Sequence, residues 1–465
     1  MDPALTEDYP PRPALSSKQF VTTAPLGAAI GLGERASAPE YASNVVELGP
    51  VALDRRCQRV HLSAPDPARP GPLVPRPSAE DNLGIPLKQQ LRIGGYILKQ
   101  RLAGRARYPL VLMLEPLFRC NLACAGCGKI DYPDAILNRR LSVAECLEAV
   151  DECGAPVVSI PGGEPLLHKE IGEIVAGIVA RKTYVYLCTN ALLLKKKLGL
   201  FTPSEFLTFS VHLDGLEEEH DASVCQEGVF ERAVEAIAAA RDAGFRVTCN
   251  ATVFDGVPAE RVAAFLDYAR DLGVEGVTIS PGYAYERAPD QAHFLGRAKT
   301  KTLFRDIFRL GRGRRWKINH SSLYLDVLAG NQQYHCTPWG NPTRNVFGWQ
   351  RPCYLLNEGY AASFAELMET TAWDSYGTGN YEKCANCMAH CGYEATAAAD
   401  ALGNPLKAAW VALRGPRTDG PLAPEIPLDG QRPAEWVFDG LVAEAQANLH
   451  SQRPEAAREE ARQSA

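Results

Sequence analysis

The stretch 109-PLVLMLEPLFRCNLACAGC-127 decides how the rest of the chain is read. Residues 109–115 are a short apolar run that reads as a strand, and the loop after it holds Cys120, Cys124 and Cys127. Working outward, similar apolar runs recur at 156–160, 184–188, 207–212, 246–251 and 274–280, and read as strands buried on both faces. The segments 142–152, 170–181, 192–200, 229–243 and 259–272 between them carry helical periodicity, several opening after Ser, Pro or Gly and closing at Gly. Regular strand–helix alternation predicts an α/β fold with a parallel sheet and right-handed crossovers, either doubly wound or closed towards a barrel. In both versions ligands bind at the carboxyl ends of the strands. The motifs fall there: Gly162-Gly163-Glu164-Pro165 after the second strand, Cys188-Thr189-Asn190 after the third and Ser210-Val211-His212 in the fourth. Asn250 lies in the fifth strand, and Ser280-Pro281-Gly282-Tyr283 ends the sixth.

At 465 residues the chain exceeds the roughly 250–300 at which one core stops growing, so a large domain with additions is expected. Hydrophobic residues make up 46% and charged residues 22%, and no apolar run approaches the roughly 18 residues of a spanning helix. Lys+Arg 49 against Asp+Glu 55 gives net −6, which provides no general basic field, so no nucleic-acid partner is expected. The start of the chain lacks the pattern of a secretory signal, which predicts a cytoplasmic, reducing setting for the 14 cysteines. There spacing decides whether cysteine is a buried hydrophobe, a metal ligand or a reactive thiol.

Residues 1–83 hold 13 of the 34 prolines and show no sustained period, so they read as a disordered extension. Residues 84–108 form a basic amphipathic segment. Between 87 and 108 stand Lys88, Arg92, Lys99, Arg101, Arg105 and Arg107 with no acid, suited either to an anionic membrane surface or to packing across a barrel bottom. Residues 109–300 hold the strand–helix repeats, 301–406 a C-terminal extension, and 407–465 a Pro/Gly-rich and polar tail with one short helix expected at 436–449.

Three thiolates at C-x3-C-x2-C can share one inorganic centre and leave a coordination position open, whereas a closed zinc site needs a fourth ligand that this loop lacks. With Gly162-Gly163-Glu164 after the second strand, the sequence resembles the radical S-adenosylmethionine superfamily. That resemblance implies a partial (β/α)6 barrel, with a small Cys-rich extension and Pro-rich tails around it. It also implies a [4Fe–4S] cluster on Cys120, Cys124 and Cys127, with S-adenosylmethionine chelating the open iron. Gly162 and Gly163 would let the ligand approach closely, and Glu164, Thr189, Asn190, Ser210, His212 and Asn250 would hold its polar groups. The residue before the last cysteine, usually aromatic in this superfamily, is Gly126 here, so stacking on adenine has to come from elsewhere.

The blocks 114-LEPLFRCNLACAGCGKI-130, 185-VYLCTNALLL-194, 210-SVHLDGL-216, 279-ISPGYAYERAPDQAHFLG-296, 347-FGWQRPCYL-355 and 384-CANCMAHCGYE-394 further resemble the adenosylhopane synthase family of hopanoid biosynthesis. This implies addition of the 5′-deoxyadenosyl radical to the terminal alkene of diploptene, with Cys188 donating the hydrogen atom that completes the product. It also implies a low-potential electron donor such as flavodoxin or ferredoxin, and peripheral contact at the inner face of a membrane. Tyr283, Tyr285, His293, Phe294 and Trp349 lie in these blocks and are candidates for lining the hopene pocket or for the core. A hydrogen-abstracting maturase acting on a peptide, and a non-catalytic iron–sulfur or zinc protein, are the competing readings.

Cys384-x2-Cys387-x3-Cys391 repeats metal-ligand spacing, with Cys353 or Cys336 as a fourth ligand. An auxiliary iron–sulfur cluster, structural zinc and free thiols are all compatible with it.

Overall fold

Six parallel strands frame the protein: β1 (Val111–Glu115), β2 (Val157–Ile160), β3 (Tyr184–Thr189), β4 (Leu207–His212), β5 (Arg246–Val253) and β6 (Val277–Pro281). They belong to a computed structural model that describes residues 85–285 and 288–435; the expectations for 1–83 and for a helix at 436–449 lie outside those residues. The strands neighbour one another in chain order without reversal. A doubly wound sheet reverses its order at a switch point, so the open-barrel alternative is the one adopted.

Alternation along each strand separates two environments. In β3, Val185 and Leu187 are fully buried in the main core, while Tyr186 and Cys188 on the opposite face are half-buried. Phe209 and Val211 of β4 likewise join the core, leaving Thr208, Ser210 and His212 on the other face. The strands are therefore not apolar on both sides as expected. The face turned into the barrel is polar, carrying Ser159, Cys188, Ser210, His212, Thr248 and Asn250.

The helix layer follows from local signals. Preceding the barrel is α1 (Leu87–Leu102), and the short α2 (Asp134–Leu137) follows the cysteine loop. In α3 (Val143–Cys153), Ser142 and Glu145 form a reciprocal capping box and Gly154 closes the helix at φ +63°. Ile171, Ile174, Val175 and Ile178 of α4 (Ile171–Ala180) bury one helical face against the sheet. The expected helix at 192–200 divides into α5 (Leu194–Lys197) and a 3₁₀ turn, Leu198–Leu200. After α6 (Glu217–Ser223), α7 (Val229–Asp242) and α8 (Ala259–Asp271) complete the crossovers.

The chain continues through α9 (Arg297–Leu310) and α10 (Ser322–Leu328) into three short strands. Of these, β7 (Thr343–Asn345) pairs parallel with β1, and β8 (Gly348–Gln350) and β9 (Tyr360–Ala361) follow antiparallel, giving nine strands in one sheet. Then come α11 (Phe364–Thr370), α12 (His390–Gly403) and α13 (Pro405–Arg414). Residues 415–435 lack regular helix or strand but are pinned to the preceding elements. Thr418 is buried, its carbonyl accepts from Arg309 at 3.1 Å, and the Arg432 guanidinium lies 3.9 Å from the Tyr381 ring centroid.

Helix α1 crosses the amino ends of β3 and β4. Gln89 donates to the Tyr186 hydroxyl at 3.0 Å, Lys88 pairs with Glu205, and Arg92 lies over Tyr184 and Phe206. Its outer stripe, Leu87, Leu91, Leu98 and Leu102, stays exposed. Among the described residues no helix is long and apolar enough to cross a membrane.

Candidate active site

The carboxyl ends of the barrel strands build the site around the loop after β1. Leu122 anchors that loop by packing on Val224 and Val229, with Cys120 and Cys124 against the same small cluster. Ala125 N–H donates to Ser223 O at 2.9 Å, and Cys127 N–H to Cys124 O at 3.2 Å, closing a tight turn. Burial pushes the Cys120 thiol up to about 12 and those of Cys124 and Cys127 upward too, while Lys129 pulls Cys127 back. A metal centre reverses this by drawing the protons off, so this thiol set suits an inorganic cluster.

Gly162 and Gly163 answer to close contacts within the protein. A Cβ on Gly163 would lie 2.3 Å from Arg119 O and 2.4 Å from Phe118 O, and one on Gly162, at φ +73°, 2.7 Å from Leu117 O. The glycines are required because this turn nests against the cysteine loop, with Gly163 N–H on Leu117 O at 3.0 Å and Glu164 N–H on Arg119 O at 2.9 Å. The pair thus fixes where the cysteines stand.

Glu164 and Thr189 are committed to each other. Glu164 is fully buried; its Oε1 accepts from Leu166 N–H at 3.0 Å and Thr189 Oγ at 2.8 Å, and its Oε2 from Asn190 N–H at 2.8 Å. The carboxylate braces the turn after β2 to the end of β3. Burial pushes its carboxyl up to about 7 against the pull of these donors. A folded value above the unfolded one, about 4.3, stabilises fully below that pH and is lost as pH rises through 7. Urea midpoints of the apo-protein should therefore fall relative to Glu164→Gln between about pH 4.5 and 7; parallel pH profiles would contradict this.

Asn190 reaches back to the cysteine loop, its Nδ2 standing 2.8 Å from Asn121 Oδ1 and 3.8 Å from Cys120 Sγ. His212 shares a 2.7 Å bond with Asp214, which also accepts from Ser223 Oγ at 2.8 Å and Thr252 N–H at 2.7 Å. Burial opposes charge on His212, but the Asp214 carboxylate outweighs it and raises the imidazole above its ordinary value. His220, whose Nδ1 accepts from Asp214 N–H at 3.2 Å, is pushed down to about 4 by burial and by His212. The site therefore presents one imidazole poised to carry charge beside one held neutral. Asn250 stands opposite His212 in the β4–β5 register.

The position where an aromatic residue was missing is filled from another strand. A Cβ on Gly126 would lie 2.8 Å from the Phe254 ring, and so would one on Gly282. Two glycines thus leave room for Phe254, which follows β5 and carries its ring onto the cysteine loop. Asn121, Asp214, His220 and Phe254 were not singled out from sequence. Phe254 was detectable only as the residue leaving a strand at the ligand end.

Cys188 lies inside the barrel, its Sγ 3.4 Å from Ser159 Oγ and its Cα in register with Ser210. Burial raises its thiol above the ordinary value, keeping it S–H near neutral pH. At the mouth, Tyr283 and Tyr285 have hydroxyls 3.2 Å apart, and Lys129 Nζ lies 4.1 Å from the Tyr354 centroid and 3.2 Å from both oxygens of Glu115. Burial pushes the Tyr283 phenol well above its ordinary value. Trp349 is instead buried core, its Nε1 donating to Glu152 at 3.0 Å, and His293 is exposed beside Asp290.

Residues 114–269 match the Radical SAM superfamily, and residues 277–411 match a Domain of unknown function (DUF3463). Among curated proteins, the chain is similar to the GTP 3′,8-cyclase of Rhodobacter capsulatus, 32% identical over 156 residues, covering 32% of this chain and 46% of that protein. The GTP 3′,8-cyclase of Listeria welshimeri is 27% identical over 163 residues, covering 34% and 49%. The chain spans about half the length of these curated relatives. Solved structures with a similar chain path include Streptococcus suis SuiB, with 15% identity, 64% and 75% coverage and a TM-score of 0.48. Another is anSMEcpe with bound AdoMet, with 19% identity, 60% and 83% coverage and a TM-score of 0.43. Residues 114–269, which run from β1 into α8 and so supply most of the barrel, are of the radical S-adenosylmethionine superfamily, whose members use a [4Fe–4S] cluster and S-adenosylmethionine.

Proposed function

We propose that this enzyme joins the 5′-deoxyadenosyl group to the terminal alkene of diploptene, as the resemblance of six sequence blocks to adenosylhopane synthases implies. The observation that supports this reading best is the protonated thiol of Cys188 inside the barrel, beside Ser159 and level with Ser210. Cys120, Cys124 and Cys127 would hold the cluster, with Asn190, His212 and Asn250 meeting the polar groups of S-adenosylmethionine. Bound together, cluster and S-adenosylmethionine supply a carbon radical at C5′. Joining C5′ to the terminal CH2 breaks the alkene π bond and leaves one unpaired electron on the tertiary side-chain carbon. Cys188 gives that carbon the hydrogen atom of its S–H bond, which is weaker than the C–H bond formed. One electron from a flavodoxin- or ferredoxin-class donor and one solvent proton restore the thiol.

The stretches shared with the Rhodobacter capsulatus and Listeria welshimeri GTP 3′,8-cyclases are 156 and 163 residues, about half of each of those proteins. Their substrate chemistry therefore transfers less readily than their radical chemistry. Contact with a lipid surface is part of the same proposal, through the exposed leucines of α1 with Lys99 and Arg101 in its last turn. Co-sedimentation with anionic liposomes should fall when Leu91 and Leu98 are changed to Ser; unchanged binding would remove that contact. The activity itself is tested by anaerobic incubation with S-adenosylmethionine, reductant and diploptene. Mass spectrometry should detect the adenosyl adduct, and turnover of GTP or of a peptide in its place would overturn the reading.

A further inference from the structure

We propose that α13 is a second lipid-binding arm, which together with α1 docks the protein on an anionic bilayer by carrying Leu406, Trp410 and Leu413 into the headgroup region. The inference rests on the lipid contact proposed for α1 and extends it to a helix that contact does not use.

Large apolar side chains are unevenly spread over the surface. Of the eleven that stand exposed among the described residues, four are the outer leucines of α1, and four more are Leu402 at the end of α12 and Leu406, Trp410 and Leu413 of α13. Single exposed apolar residues are ordinary, but a concentration of them marks an interaction surface. The two groups adjoin. Arg101 Nη2 donates to Ala399 O at 2.7 Å, and a Cβ on Gly403 would lie 4.0 Å from Arg101 Nη1. Leu102 and Leu402, the sequence neighbours of Arg101 and Gly403, are both exposed at this junction.

Helix α13 has an inner face that is satisfied and an outer one that is not. Pro405 starts it, where a missing N–H costs nothing. Ala408 and Val411 pack on the main core, and Ser322 of α10 donates to Ala408 O at 3.1 Å. A surface helix normally turns polar residues away from the core. Here Leu406, Trp410 and Leu413, at i, i+4 and i+7, form an outward stripe, and the two leucines are each 86% exposed.

Charge selects the occupant. Neither α1 nor α13 contains an acid, and both carry cations, Lys99 and Arg101 in the last turn of α1 and Lys407 and Arg414 in α13, although the whole chain is net −6. Two copies of this face pressed together would set cation against cation, which costs binding energy, whereas anionic headgroups supply the opposite charge. The Arg414 guanidinium lies 3.8 Å from the Trp410 ring centroid, which puts an aromatic ring and a cation at one end of the stripe. Tryptophan favours the level of the headgroups, and long basic side chains reach from buried stems to the phosphates. An acid-free amphipathic helix of this kind lies in the plane of the interface.

The test is binding of full-length protein to vesicles of phosphatidylglycerol or of phosphatidylcholine, each containing brominated phosphatidylcholine, which quenches tryptophan on contact. Phosphatidylglycerol vesicles should quench wild-type emission, and Trp410→Phe should remove most of that quenching. Vesicle affinity should fall about 10-fold or more in Leu406→Ser/Leu413→Ser and by a similar factor in Lys407→Gln/Arg414→Gln, with circular dichroism unchanged. Unquenched wild-type emission, or equal binding to phosphatidylcholine alone, would overturn the inference whether or not the variants fold. So would a wild-type dimer in light scattering that Leu406→Ser/Leu413→Ser turns into a monomer, because a second copy would then occupy the face. Binding that survives the α13 changes but is lost in Leu91→Ser/Leu98→Ser would remove α13 and leave the α1 contact standing. Diploptene turnover does not enter this measurement, so the proposed reaction and this surface fail separately.

Discussion

Replacing Cys120, Cys124 and Cys127 together by alanine abolishes reductive cleavage of S-adenosylmethionine, leaving the barrel folded. The loss should be complete, because the cluster needs three thiolates from one loop, and Cys188, at the end of β3, is a single thiol beside Ser159. Folding survives because the loop is held by other contacts: Leu122 on Val224 and Val229, and the nesting of Gly162 and Gly163 against Leu117 and Arg119. Release of methionine and 5′-deoxyadenosine under dithionite, with circular dichroism as control, measures both halves. Residual cleavage in the triple variant would mean that the open iron belongs to a different cysteine set.

Cys188→Ala should leave S-adenosylmethionine cleavage within a few-fold of wild type while lowering the reduced adduct by about 100-fold or more, on the order of 3 kcal/mol in barrier. Alanine removes the S–H hydrogen without adding bulk, and Ser159 and Ser210 beside it are poor donors because an O–H bond is stronger than the C–H bond it would form. The split between preserved cleavage and lost product separates a hydrogen donor from a packing residue, since a packing defect would depress both. Adduct formed at the wild-type rate, with wild-type stereochemistry, would remove Cys188 from the reaction.

Much of the barrel was legible because its signals are contiguous. Each of β1–β6 is one short β-rich run, and Cys120, Cys124 and Cys127 lie within eight residues of one another. What escaped was set by pairings distant in sequence. Gly126 is a departure from the superfamily pattern until Phe254, from the end of β5, is seen lying on it. Glu164 and Thr189 have the residue types of ligand groups, but the turn geometry spends their oxygens on one another. The two- and three-residue strands β7–β9 are too short for alternation to register, yet they extend the sheet past β1. They also carry Trp349 into the core, away from the mouth. Spacing groups Cys384, Cys387 and Cys391, and only the fold shows that Cys336 lies against Gly392, the residue after Cys391.

The central claim, that the 5′-deoxyadenosyl group is added to the substrate and the product is completed by a thiol hydrogen, is tested most directly by running the diploptene reaction in D2O. A thiol exchanges its hydrogen with solvent and a C–H bond does not. The account predicts an adenosyl adduct carrying one deuterium, on the carbon next to the former alkene terminus, with little free 5′-deoxyadenosine. Free 5′-deoxyadenosine released in step with a product that lacks the adenosyl group would contradict it.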